Sequence, residues 1–127
     1  MVRKEVLDWL NSAEDDLNTA ETLYREKIYY ASAFYCQQAA EKALKAAFIN
    51  EFKKSIQSHN LVEISRELKA PEEIISACRK LNPHYVQTRY PEAANAIPAD
   101  VYDDEIVEEL LEEAKKVFEW SETKTSK

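Results

Sequence analysis

Three short stretches of this chain combine residue types that could do chemistry. The first is Arg89-Tyr90-Pro91, inside the run Tyr85-Val86-Gln87-Thr88-Arg89-Tyr90-Pro91. An arginine flanked by aromatic rings suits contact with a phosphate and a base, through bidentate hydrogen bonds and stacking. The alternative is a loop clamp, with the rings in the core and Arg89 pairing a carboxylate or capping a helix. The second stretch is Arg79-Lys80-Leu81-Asn82-Pro83-His84. A metal-free ribonuclease needs a proton-transfer group near pH 7 and a cation for a phosphorane-like transition state, and histidine and arginine fill those roles. With five arginines and two histidines in the chain, the spacing alone says little. The third stretch runs from Phe34 to Lys45, where Gln37, Gln38, Glu41, Lys42 and Lys45 interrupt an apolar helix. These residues form either an exposed strip of i,i+4 pairs (Gln38 with Lys42, Glu41 with Lys45) or a polar site or dimer contact between helices.

Other chemistries are disfavoured. Two histidines without a partner at i+3 or i+4 are too few for a dedicated metal cage. Glu108, Glu109, Glu112 and Glu113 invite a carboxylate-metal site, but their spacing puts them on the solvated face of an amphipathic helix, and no Glu-x-x-His pair accompanies them. Cys36 and Cys78 lack a Cys-x-x-Cys spacing and sit among periodic apolar residues, as small buried hydrophobes do. No metal and no cofactor is expected. The chain contains no glycine, which removes phosphate-cradling loops, the dinucleotide fingerprint and Asn-Gly hairpins together. What remains is an all-α fold.

Helical periodicity supplies the elements that must position these residues. The first helix is predicted from about Arg3 to Glu26, with Val6, Leu10, Ala13, Leu17, Ala20 and Tyr24 as one apolar seam, widened by Trp9 and Leu23. The second, about Tyr29 to Phe52, is apolar almost all round. Its alanine and cysteine stripe (Ala33, Cys36, Ala40, Ala43, Ala47) and its bulkier stripe (Phe34, Leu44, Phe48) make it the central element. A short third helix follows, with Asn60 and Glu63 spaced as a capping box and Leu61, Ile64 and Leu68 facing inward. Pro71 suits the first position of a fourth helix, buried through Ile74, Ile75, Cys78 and Leu81. From Asn82 to about Tyr102 the periodicity stops, and Pro83, Pro91 and Pro98 mark a long loop of the kind that is functional or mobile. The last helix starts at Asp103 or Asp104 and runs to about Glu122, with Ile106, Leu110, Leu111, Ala114, Val117 and Phe118 buried and Thr123 to Lys127 fraying. The expectation is one domain over residues 1–127, an up-and-down bundle of four to five helices with a long loop before the final one.

Net charge is −7, and residues 92–127 hold all of it, with 11 acids against 4 bases. Residues 41–91 carry nine bases against six acids and both histidines. An acidic whole argues against a duplex-DNA binder, while a basic middle leaves room for a small anion or a short RNA. Mixed charge on solvated helix faces would look the same. No apolar run approaches the ~20 residues of a membrane span. The start, Met1-Val2-Arg3-Lys4-Glu5, passes straight into charged sequence, so a cytoplasmic protein without a membrane partner is expected.

Taken in order, Trp9 with Ala13-Glu14-Asp15-Asp16-Leu17, the run Gln37 to Ala46, Ser58-His59-Asn60-Leu61, Thr88-Arg89-Tyr90-Pro91 and Trp120 resemble a HEPN domain (higher eukaryote and prokaryote nucleotide-binding), in its Arg-Tyr-Pro branch. The resemblance covers about Lys4 to Trp120. It implies a helical bundle that forms homodimers and partners a minimal nucleotidyltransferase in a two-component, toxin–antitoxin-like module. It further implies nucleotide or RNA binding, for which the expected contacts are Arg89, Tyr90, Tyr85, Lys42, Lys45 and Gln38. Many members are metal-independent ribonucleases using an Arg-x4–6-His motif. Carried over, Arg79 would contact phosphate and His84 would transfer the proton. The alternatives are thus a binding protein, an endoribonuclease toxin or a non-catalytic helical adaptor. Because Pro83 precedes His84, the fourth helix is expected to break near Asn82, leaving Arg79 and His84 on different elements. His84 would then contact ligand or pack against Tyr85.

Overall fold

The computed structural model describes residues 2–126; the expectations that touch Met1 and Lys127 lie outside the described residues. The described residues form eight helical segments and no strand: α1 (Val2–Arg25), α2 (Tyr29–Phe52), α3 (Leu61–Glu67), α4 (Glu72–Leu81), α5 (His84–Gln87), α6 (Pro91–Ala94), α7 (Pro98–Val101) and α8 (Asp104–Thr125). The expected seam of α1 is buried from Val6 through Ala20, while Tyr24 is half-buried and donates to Glu108 Oε2 at 3.2 Å.

α2 is the central helix. It packs on α1 and α8 and also touches α3, α4, α5 and α7. Its alanine and cysteine stripe is closed by these neighbours, with Ala33, Cys36, Ala40, Ala43 and Ala47 all buried. Small side chains are what let three long helices meet there at close range. The contacts of Tyr24 with Glu108 and of Arg3 with Thr125 set α8 antiparallel to α1, and Asn50 donating to the Lys124 carbonyl joins the C-terminal ends of α2 and α8, which run parallel. Lys80 of α4 pairs with Glu109 and Glu113, whereas Glu73 and Ile74 line a groove with Trp120 and Thr123. α4 is therefore antiparallel to α8, and α1, α2, α4 and α8 run up, down, up, down.

Helix ends follow local chemistry. Asp103 caps α8, its side chain accepting from the Ile106 amide. Pro71 caps α4 instead of opening it, and its carbonyl accepts from the amides of Ile74 and Ile75. With no glycine available, the left-handed positions fall to Lys27, Lys53, Lys69 and Asn95, at φ between 55° and 63°.

Four details depart from the sequence expectations. The stretch from Asn82 to Tyr102 is wound into three single-turn helices rather than an irregular loop. Pro91 and Pro98 each open one of those turns, which is the helix position where a missing N–H costs nothing. Glu113 is buried, not solvated, because Lys80 and Lys116 reach it at 3.2 and 3.4 Å from either side. Ile106 is exposed because it lies off the inward face of α8, and the adjacent Val107 takes the core position instead. Finally α8 continues to Thr125, which is buried and whose carbonyl accepts from Arg3 of α1.

A polar clasp joins two of the shorter helices. The Asn60 side chain caps α3 by accepting from the amides of Val62 and Glu63, and it also accepts from Asn82 Nδ2. Asn82 Oδ1 in turn accepts from the Leu61 amide at 2.9 Å. The start of α3 is thereby tied to the end of α4. Asn60→Ala removes a cap and the Asn82 contact together, so it should cost about 1–2 kcal/mol in a urea unfolding series. A loss within error of zero would show that water replaces the clasp.

Candidate functional site

The polar strip of α2 turns inward. Gln37, Glu41 and Lys45 lie on one face at i,i+4 spacing, and all three are buried. Burying a carboxylate costs several kcal/mol unless donors surround it, and Glu41 has three. Its Oε2 accepts from Lys45 Nζ at 3.0 Å and lies 2.8 Å from His59 Nδ1, while Oε1 accepts from Gln37 Nε2 at 3.1 Å. Burial alone would raise the Glu41 pKa, but the hydrogen bonds from Lys45, Gln37 and His59 outweigh it and hold the carboxyl below its ordinary value. Gln38 extends the network by donating to Gln37 Oε1 at 2.8 Å. Of the two expected pairs, Glu41 with Lys45 forms. Lys42 instead reaches across to α1, where it meets Asp16 at 2.8 Å and Ser12 at 2.9 Å. Lys45 also lies 5.6 Å from the Trp9 ring.

The second half of the site comes from α5 and the turn after it. The His59 ring stacks on Tyr85, with centroids 4.5 Å apart and planes 16° from parallel. The Arg89 guanidinium lies 4.8 Å from the Tyr85 ring centre and 5.2 Å from that of Tyr90, and Arg89 donates to the Tyr90 hydroxyl at 3.2 Å. Arg89 is exposed and has no carboxylate partner among the described residues. The Asn60–Asn82 clasp makes this convergence possible, since it brings His59, just before α3, against Tyr85, just after α4. Three separated motifs thus share one face: Gln37 to Lys45, Ser58 to Asn60 and Tyr85 to Tyr90.

Arg79 and His84 fall elsewhere. Arg79 closes α4 and is paired with Glu72 at 2.9 Å. His84 opens α5, so the break expected at Asn82 and Pro83 is present. Of the two roles expected for His84, packing against Tyr85 is not the one the structure shows. His84 Nδ1 shares a 2.6 Å hydrogen bond with the hydroxyl of Tyr102, the residue that follows α7, and His59 occupies the Tyr85 ring instead. Burial lowers the His84 pKa below 6.5 and pushes the Tyr102 hydroxyl up to about 12. The unfolded chain therefore protonates this histidine more readily than the folded one. Stability from His84 is complete above pH 6.5 and is lost as pH falls through its folded-state pKa. His84→Gln should flatten that part of the curve in thermal melts between about pH 8 and about pH 5; an unchanged slope would mean the ring opens to solvent.

Elsewhere the chemistry is quiet. Burial raises the Cys36 and Cys78 thiols to about 12 and about 11, too high to supply a thiolate nucleophile at neutral pH. Among the described residues no group of three His, Cys, Asp or Glu side chains could hold a metal ion, and no helix is long and apolar enough to cross a membrane. His59 and Glu41 were not among the expected contacts. The signal available was His59 within Ser58-His59-Asn60-Leu61, which carried the resemblance without a role attached to it.

The family model of the HEPN domain matches residues 6–124. The chain belongs to the HEPN family. Among curated proteins, this HEPN chain is similar to MJ1304 of Methanocaldococcus jannaschii, whose name makes it a candidate toxin, at 30% identity over 87% of this chain and 82% of that one. Among solved structures it is similar to TT1696 of Thermus thermophilus, with a TM-score of 0.89 and 30% identity over 94% of this chain and 98% of that one. An archaeal HEPN homologue, ST0689, shares the fold with a TM-score of 0.82 and 24% identity, over 96% and 98% of the two chains.

Proposed function

We propose that this HEPN protein binds nucleotide or single-stranded RNA on the His59–Tyr85–Arg89 face, within a toxin–antitoxin-like module whose other member is a minimal nucleotidyltransferase. The observation that carries the binding reading is Arg89: an exposed guanidinium, free of carboxylates, resting on two tyrosine rings. Such a group offers a planar fork to a phosphate and an aromatic platform to a base. Tyr85, Tyr90 and Arg89 supply the direct contacts. Lys45 and Gln38 lie in the Glu41 network behind them and shape the floor. Lys42, committed to Asp16 and Ser12, stands apart from the face. The name of the Methanocaldococcus relative supports the toxin-like setting.

Titrating the protein with short RNA oligonucleotides at several salt concentrations tests the proposal. Micromolar or tighter binding that weakens with salt supports it, since neutralised phosphates release counterions. No binding at millimolar ligand would return Arg89 to a structural clamp.

Homodimer formation belongs to the same proposal. The α2 alanines are covered within the chain, whereas Val86 and Ile97 are exposed along the single-turn helices, Ile97 to 64%. Exposed apolar groups on such turns suit a second copy. Light scattering at tens of micromolar should return twice the chain mass, and a single-chain mass would remove the dimer.

A further inference from the structure

We propose that the His84–Tyr102 pair is a latch that positions Arg89, which makes Tyr102 a positioning residue for RNA binding from outside the binding face. The inference rests on the RNA-binding reading above and gives His84 a part in it other than chemistry. Tyr85, Arg89 and Tyr90 are carried by the strap of chain from Pro83 to Val101, and that strap has almost no core of its own. Thr88 is its one buried residue, and α5, α6 and α7 are four residues each. A single helical turn is unfavourable when little packs on it. The order of the strap must therefore come from where it is tied down.

Those ties converge on His84. At the entry, Asn82 Oδ1 accepts from the Leu61 amide and holds the chain just before Pro83. At the exit, the Tyr102 hydroxyl meets His84 Nδ1 at 2.6 Å, with the two rings edge to face and 5.3 Å apart. Tyr102 is buried and directly precedes Asp103, whose side chain caps α8. The bond thus joins residues 18 apart in the chain and fastens the first turn of the strap to the start of a long helix. From His84 the constraint reaches Arg89 in two short steps. The buried Thr88 hydroxyl donates to the His84 carbonyl at 2.6 Å, and the Arg89 amide that follows donates to the Val86 carbonyl at 3.0 Å. Tyr85, next to His84, is stacked with His59 and lies 4.8 Å from the guanidinium. A cation set in place beforehand has less freedom to lose when a phosphate arrives. A strap that opens part of the time weakens binding in proportion to the open fraction.

Hydrogen exchange and RNA binding, both on the full chain, test the latch. Tyr102→Phe keeps the ring and removes the hydroxyl, so the domain should stay folded. Amides in residues 84–101 should exchange about 3- to 10-fold faster, as expected for one lost buried hydrogen bond, while α1, α2 and α8 keep their protection. Anisotropy with a short labelled single-stranded RNA should show an affinity loss of about threefold or more. That loss should vanish in an Arg89→Ala background, where nothing remains to be positioned. His84→Leu should reproduce both effects, and combining it with Tyr102→Phe should be no worse than either change alone. Tyr30→Phe, which removes an exposed tyrosine hydroxyl on α2, should do neither. Unchanged exchange in residues 84–101 overturns the latch, and faster exchange with unchanged affinity overturns its positioning role. Equal affinity losses with and without Arg89 would reduce the effect to general destabilisation and overturn that role as well. A wild-type chain that binds no RNA overturns the binding reading and the positioning role with it, and the exchange result still decides the latch.

Discussion

Replacing Glu41 by alanine is expected to destabilise the domain by about 3–5 kcal/mol, a large share of the ~5–15 kcal/mol that such domains hold. The pair it makes with Lys45 is buried on both sides, so removing the anion strands an ammonium in the interior and leaves Gln37 without its acceptor. The 5.6 Å approach of Lys45 to Trp9 replaces only a fraction of that interaction. A melting midpoint lowered by roughly 10 °C or more would register the effect. A change within about 1 kcal/mol would mean that Lys45 escapes to water and that the pair behaves as an exposed one. The same carboxylate gives a pH signature. Its folded-state pKa is depressed, so its contribution is complete above pH 4.5 and is lost as pH falls through the folded value. Acid unfolding of Glu41→Gln should lack that component.

Arg89→Ala is expected to weaken RNA binding about 10- to 100-fold, the equivalent of ~1.5–3 kcal/mol for a charge-assisted contact. The side chain is exposed and makes no ion pair among the described residues, only its contacts with Tyr85 and Tyr90, so little stability should be lost with it and the effect should read cleanly as affinity. Lys80→Ala is the informative control. Lys80 is equally cationic but engaged by Glu109 and Glu113, so its removal should change affinity by less than about threefold. Equal losses in calorimetry would mean that net charge alone governs binding, with no part played by the stacked guanidinium.

The long helices were legible because their apolar spacing is local information. α2 begins and ends where its pattern does, and the α1 seam from Val6 to Ala20 is buried as its spacing implies. Glu113 was not legible. On α8 it reads as one of four surface glutamates, and only the arrival of Lys80 from α4 makes it an interior acceptor. The site divides in the same way. The Glu41–Lys45 pair and the aromatic setting of Arg89 are visible as spacings along the chain. His59 is not, because its position depends on Asn82 joining Asn60 across 22 residues, a contact with no periodic trace. The three single turns between α4 and α8 did leave a trace in Pro91 and Pro98, each of which opens a helix, but four-residue helices carry too little pattern to stand out from loop.

The left-handed turns at Lys27, Lys53, Lys69 and Asn95 bear on the denatured ensemble as much as on the fold. Each places a β-carbon where glycine would sit without strain, at a cost of about 1–2 kcal/mol to the folded chain. The opposing effect lies in the unfolded chain. A polypeptide with no glycine in 127 residues wanders over fewer backbone conformations, so it surrenders less entropy when it folds. At these four positions the side chain narrows the disordered population at the same time as it strains the ordered one. Stability in this protein is therefore set partly by what its unfolded chain is prevented from doing.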